Sequence, residues 1–586
     1  HKDIVKVKVT KRSGREGKRR EGMVLKILER GCKTLVGTFQ KNTSFGFVLP
    51  DDRHYDKDIF ISKKHMSGAK DGDKVVVRLT DFGGERKKPE GAVIEILGPM
   101  DDPATDVTSI IRAYGIEQEF PKSVMKEAQS VPQEISEQPG GKRVDFRNLL
   151  TVTIDGEDAR DLDDAITLSK KDEKYYLGVH IADVAHYVKE DSPLDKEALE
   201  RATSVYLADR VIPMLPRELS NGICSLNAGT DRLAMSCMMT FDVNGNVLDH
   251  TITESVICVD ERMSYTGVKA ILEGQEHPEG EREDIRALCF LMKEAAAILK
   301  EKRRKRGAID FDFPESKIIV DDKGYPIDIH PYERNVATDI IEDFMLLANE
   351  TVAEDYFWQE IPFLYRTHET PDSDKIKKLD TFIHNFGYYM KTGRENFHPK
   401  EIQKLLFSLE GEPEEPLISR LALRSMKQAK YTTLNVGHFG LSTQYYTHFT
   451  SPIRRYPDLQ IHRIIKENIH GKLNQKRLEH YEAILPSVAQ QSSTMERRAQ
   501  DAEREVDKLK KVEYMQQYLG EAFTGVISGV TSWGFFVELD NTIEGMVSIN
   551  SLLDDFYVFD EESYKLTGEH TGRIFTLGQN CSSFCR

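Results

Sequence analysis

Asp155, Asp161, Asp163 and Asp164 crowd into the run Thr-Val-Thr-Ile-Asp-Gly-Glu-Asp-Ala-Arg-Asp-Leu-Asp-Asp-Ala-Ile at positions 151–166. Carboxylates this close repel one another unless cations neutralise them. Clustered carboxylate oxygens suit the hard ions Mg2+ and Mn2+, and such ions on an acidic cluster most often serve phosphoryl chemistry. A calcium loop counted from Asp161 would need Gly and Glu at its sixth and twelfth positions, where this chain has Ile166 and Asp172. A helix N-cap uses one such Asp, not four. A solvated acidic turn is the bland alternative.

The elements around the acids follow from residue type. Thr151 to Ile154 are β-branched and read as a strand, so Asp155 stands at its end and Gly156 turns the chain back. Asp161 and Asp163 then alternate onto one face. Asp164 points the other way on a strict strand, so the segment must bend if all four are to converge. His180 and His186 lie an even number of residues apart and could share a strand face. With no further ligands for zinc nearby, they read as buried, satisfied histidines.

Further blocks follow in order: His180-Ile-Ala-Asp-Val-Ala-His-Tyr-Val188, Tyr206-Leu-Ala-Asp-Arg-Val-Ile-Pro-Met-Leu-Pro-Arg-Glu-Leu219, Cys224-Ser-Leu-Asn227, Ile341-Glu-Asp-Phe-Met-Leu-Leu-Ala-Asn349 and His448-Phe-Thr-Ser-Pro-Ile-Arg-Arg-Tyr-Pro-Asp458. Together with the acidic run they resemble the RNB-domain family of ribonuclease II and ribonuclease R, with the ribonuclease R branch the better fit. The resemblance spans nearly the whole chain. It implies one or two Mg2+ (or Mn2+) on Asp155, Asp161, Asp163 and Asp164, ~4 Å apart where there are two. It makes Asp163, Arg454 and Tyr206 catalytic, with Arg454 gripping the scissile phosphate and Arg455 in a structural ion pair. Tyr206 and Phe311 match aromatics that clamp the 3′-terminal bases; read without the family, each would sit in a core. Glu342 and Glu503 are weaker candidates for ribose or active-site contacts, and Asn227 and Asp231 have no assigned chemistry.

The implied activity is processive 3′-to-5′ hydrolysis of single-stranded RNA to nucleoside 5′-monophosphates, with structured RNA as an open extension of the substrate class. The expected partner is the single-stranded 3′ end of an RNA, bound by a monomer. Two other readings stay open on the residues alone: a catalytically dead RNA-binding protein on the same fold, and a DNA nuclease, since only contacts to the 2′-hydroxyl separate RNA from DNA.

At 586 residues the chain exceeds one hydrophobic core, so several domains are expected. The expected fold is α+β: an RNB catalytic domain of mixed sheet and helices, flanked by OB-fold β-barrels of cold-shock type (N-terminal) and S1 type (C-terminal). Residues 1–30 read as the remnant of a first cold-shock barrel, 31–98 as a full one, 99–142 as a connector with a little helix, 143–515 as the RNB domain and 521–586 as S1. No stretch has the ~18–20 apolar residues that span a bilayer. Seven scattered cysteines make no disulfide framework, which suits a cytoplasmic setting. The chain opens on His1, which reads as a fragment or processed product.

A net charge of −16 looks wrong for a nucleic-acid binder, but its distribution resolves part of the conflict. Residues 1–30 hold 11 Lys or Arg against 4 Asp or Glu, a net of +7, and Lys302-Arg-Arg-Lys-Arg306 is a second basic cluster. Phe45, Phe47 and Phe60, on adjacent expected strands among Lys41, Lys57, Lys63 and Lys64, could offer bases a stacking platform that Gly46 keeps clear. In the S1 region Trp533, Phe535 and Phe536 alternate in a way that allows at least one exposed stacking ring. The ending Cys-Ser-Ser-Phe-Cys-Arg586 departs from the S1 pattern where a further strand should follow, which reads as a truncation or frame error.

Overall fold

The structure is a computed structural model that describes residues 3–11, 21–31, 33–84, 87–100, 102–135, 143–311, 315–332, 334–392, 397–560 and 564–585. It divides into two compact units: His1–Glu119 with Val320–Pro326 and Ala502–Lys510, and Phe120–Ile319 with Ile327–Asp501 and Lys511–Arg586.

In the first unit, Ile4–Lys11 and Glu21–Glu29 pair as an antiparallel ribbon. Most of the basic loop between them lies outside the described residues. Thr34–Lys41, Phe45–Pro50, Ile59–Ser62, Asp73–Asp81 and Glu90–Pro99 close into a five-stranded barrel. Period-two alternation builds it: Phe39, Val48, Ile59, Ile61, Val75 and Val77 fill the core. Gly46 faces that core, not the platform. A Cβ there would meet the Phe39 ring at 2.5 Å, so the glycine serves close packing and the expectation that it clears the stacking face is corrected. In the expected connector, helix Pro103–Ala113, capped by Asp102, packs on the barrel, where Arg112 bonds Glu95 at 3.0 Å.

The second unit is built on a seven-stranded sheet in the order Glu261–Ser264, Val152–Asp155, Asp164–Lys171, Lys174–Ala182, Asp231–Phe241, Val247–Cys258 and Val144–Asp145. The two outermost pairings are parallel and the inner ones antiparallel. Helices Glu283–Arg306 and Val336–Trp358 pack on one another and on the sheet, and Tyr456–Ile469 is buried over ten successive residues. Among the described residues no helix is long and apolar enough to cross a membrane.

Ala522–Thr531, Gly534–Glu538, Glu544–Ser548 and Asn580–Phe584 form a four-stranded sheet beside Tyr557–Asp560, Lys565–Gly568 and Ile574–Phe575. Asn580–Phe584 pairs antiparallel with residues 522–526, so the segment read as breaking the S1 pattern supplies a strand after all. Arg420, on helix Glu415–Ser425, bonds Glu538 at 2.7 Å and Glu544 at 3.0 Å and ties these strands to the helices of the same unit.

Candidate active site

The acids converge because the chain bends where the alternation breaks. Asp155 ends strand Val152–Asp155, Asp161 and Asp163 lie in the loop, and Asp164 opens the antiparallel strand Asp164–Lys171. Two side chains outside the motif fix that loop. Arg262, on the neighbouring edge strand, donates through Nη2 to the carbonyls of Glu157 at 3.0 Å and Ala159 at 2.6 Å. Ser225 Oγ donates to the carbonyl of Arg160 at 2.8 Å and accepts from the Leu162 amide at 3.1 Å. The Cys224–Asn227 block thus has a role, while Asp231 pairs with Arg147 at 2.9 Å. Arg262 was legible only as a charge and was missed.

A second wall comes from residues 451–456. Asp458 accepts the Ser451 amide at 2.8 Å and two bonds from Arg455 at 2.7 and 3.0 Å, which shapes the turn. The Ile453 amide then donates to Asp163 Oδ1 at 2.9 Å, and Arg454 Nε stands 3.9 Å from Asp163 Oδ2 with its side chain 42% exposed. Backbone bonds from Ser204 to Arg454 and from Tyr456 to Ala202 lay residues 202–204 against this turn. That places Tyr206, 41% exposed, where its hydroxyl donates to Asp161 Oδ2 at 2.9 Å.

The four aspartates, Tyr206, Glu342 and Arg454 line one cavity of about 440 Å3, joined by Tyr265, Asn349 and Tyr446. Burial pushes Asp155 up to about 8, with the Asp164 charge adding and Arg262 opposing. Burial also lifts Asp164 to about 6 and Asp163 well above the usual carboxylate range, against the pull of Arg454. Buried Oδ2 atoms of Asp155 and Asp163 have no hydrogen-bond partner. Among the described residues no three acidic or metal-ligating side chains already stand in ligand geometry around one point. The fit to a hard cation therefore rests on the donors: four carboxylates on one cavity, two with unmet oxygens.

Several expected site residues stand elsewhere. Phe311 does not line this cavity; it packs on the apolar cluster of helices 373–425 and lines another cavity of about 380 Å3 with Arg304 and Phe407. The two places adjoin, since Asp310 lies 3.8 Å from Arg334, which bonds Glu342 at 2.6 Å. Glu503 lies on the long helix Gln475–Gln516, in the segment 502–510 that groups with the first unit. His180 is buried and bonded to Ser236 at 2.7 Å and Thr167 at 3.1 Å; His186 is on the short helix Val184–Tyr187, not on a shared strand face.

Among the barrel aromatics, Phe45, Phe47 and Phe60 are partly exposed with ring centroids 5.5–5.9 Å apart, and Lys88 Nζ lies 4.7 Å above the Phe47 ring. Trp533 is 58% exposed. Phe535 is corrected to a core residue: it is buried and stacks on Phe575 at 4.5 Å, because alternation turns it inward.

Residues 143–471 match the RNB domain, 47–121 the cold shock domain and 517–576 the S1 RNA binding domain. Fold and site thus define an RNB-domain protein with flanking cold shock and S1 domains. Ribonuclease R of Thermotoga maritima is 43% identical over 585 residues, covering 99% of this chain and 82% of that protein. Mycoplasma genitalium RNase R, solved in complex with ribose methylated single-stranded RNA, matches with a TM-score of 0.88 at 26% identity, covering 99% of this chain and 92% of that one. Yeast Ssd1, a pseudonuclease, shares the fold at a TM-score of 0.72 and 19% identity, covering 96% of this chain and 70% of that one. The chain belongs to the ribonuclease R family.

Proposed function

We propose that this 3′-5′ exoribonuclease removes nucleotides processively from a single-stranded RNA end by Mg2+-dependent hydrolysis and releases nucleoside 5′-monophosphates. The observation that carries the reading is the cavity in which four aspartates, two with orphaned buried oxygens, face Arg454. Asp155, Asp161, Asp163 and Asp164 would hold Mg2+ or Mn2+, which when bound activates water and stabilises the attacking and leaving oxygens.

The remaining chemistry belongs to the chain's own groups. Arg454 spends one donor on Ser451 Oγ at 3.0 Å, leaving the rest of its planar fork for a phosphate and its developing charge. Arg455 is spent on Asp458 and holds the turn. Tyr206 presents a ring anchored through Asp161, suited to stacking on the terminal base, and Phe311 offers the second ring of a clamp further along the strand. Glu342, on the cavity wall, is an acceptor for a ribose 2′-hydroxyl. The Phe45, Phe47 and Phe60 face and Trp533 would collect the strand before it reaches the acids.

Because a pseudonuclease shares this fold, the fold does not separate enzyme from binder. The acids and Arg454 do, since a binder gains nothing from buried, self-repelling carboxylates. The free cysteines among the described residues fit a reducing cytoplasm, and we assign a monomer there. Labelled RNA and DNA of one sequence, each with Mg2+ or chelator, test the reading: only RNA with Mg2+ should be degraded. Degradation of neither, or of both equally, would replace it with the binder or the DNA nuclease.

A further inference from the structure

We propose that a second cavity, behind the acidic one, binds a single nucleoside 5′-monophosphate. This inference takes its choice of ligand from the exoribonuclease reading and otherwise stands on its own geometry. The cavity has a volume of about 870 Å3, within the range of small-molecule sites. It draws on the basic cluster Lys302–Arg306, which the catalytic site leaves unused.

The two cavities stand back to back on helix Val336–Trp358. Asn349 and Tyr446 line the acidic one, and their chain neighbours Glu350 and Tyr445 line the second. The wall between them includes one ring pair, Tyr446 against His438, with centroids 5.2 Å apart.

The second cavity holds the groups a mononucleotide needs. Lys302, whose Nζ makes one bond to the Gly245 carbonyl at 2.7 Å, keeps further donors for a phosphate. His398, on the lining, caps helix Pro399–Leu409 by accepting the Lys400 amide at Nδ1, 3.1 Å away, which leaves its Nε2–H as a second donor. Arg306 is committed to Glu350 at 2.6 and 2.9 Å and shapes the floor instead of binding the anion. Tyr445 and Phe357, 4.8 Å apart, offer a base an aromatic face. The amides of Asn435 and Gln444 and the Glu354 carboxylate can meet its edge. The enzyme makes one such nucleotide per cycle while the RNA occupies the approach to the acids, so a separate product site would hold it clear of the next step.

Calorimetric titration of the full chain with adenosine 5′-monophosphate in chelator tests the site, because the acids without cations repel a phosphate. We expect saturable binding of one equivalent, weakened about tenfold or more by Lys302→Met, which keeps the aliphatic stem, with weak adenosine binding that this variant leaves unchanged. Tyr445→Leu should weaken both ligands. Should Lys302→Met fail to fold by its melting curve, Asn435→Ala stands in and should weaken both. No saturable binding at millimolar nucleotide, or wild-type binding by these folded variants, overturns the proposal. RNA hydrolysis by the same preparations is read separately: activity without nucleotide binding counts against this site alone, and nucleotide binding without activity counts against the nuclease reading alone.

Discussion

Asp163 and Ile453, 290 positions apart in the chain, are joined by a backbone N–H donated to a carboxylate at 2.9 Å. That bond sets the acidic loop beside the turn that carries Arg454, so one contact positions both the proposed metal ligand and the proposed phosphate-binding cation. Asp163→Asn keeps an acceptor for the Ile453 amide while removing charge. It should abolish hydrolysis and leave RNA binding intact or tighter, by gel shift against turnover. Wild-type-like turnover would sink the metal assignment.

Arg454→Ala should lower turnover by roughly two to three orders of magnitude, as for loss of one transition-state donor, with a small change in melting temperature because the side chain is half-exposed. Arg455→Ala should behave differently. It strips Asp458, which organises the turn, and should destabilise the fold itself. An effect of Arg454→Ala confined to apparent affinity would make it a substrate-positioning residue only.

Tyr206→Ala should weaken hold on short oligonucleotides and change the length of the final product, while long RNAs, gripped elsewhere too, suffer less. A product ladder identical to wild type, with a lowered melting temperature, would make the ring a packing element.

The acids predict a pH effect of unusual sign. Asp155 and Asp164 are raised from 3.8 to about 8 and about 6, so between 3.8 and 8 the native state binds more protons than the unfolded one. Stability without divalent cations should therefore fall as pH rises through that window, and be unaffected by these groups below it. Added Mg2+ should restore more stability at pH 8 than at pH 6, by differential scanning fluorimetry. Asp155→Asn should flatten the dependence; an unchanged slope would mean that the cluster carries no such repulsion.

The acids and their strand end were legible because β-branched residues, a glycine and the carboxylates fall together at 151–164, and the barrel because its strands alternate cleanly. Alternation gives two faces but not which is inward, which is why Phe535 and Gly46 were placed on the wrong side. Arg262 and Ser225 act through backbone carbonyls and an amide of a loop far away in sequence, and no local pattern marks such bonds. Phe311 and Glu503 came from family resemblance alone, since no local pattern in the residues around them marks a site.

The acid cavity is proposed to hydrolyse RNA from its 3′ end. A 5′-labelled, unstructured RNA with a free 3′ end, and a circular RNA of the same sequence, should be incubated with Mg2+ and the products identified by mass. The expected result is a ladder shortening from the 3′ side, release of nucleoside 5′-monophosphates, an intact circle, and no products from Asp163→Asn. Cleavage of the circle, or nucleoside 3′-monophosphates as products, would contradict it.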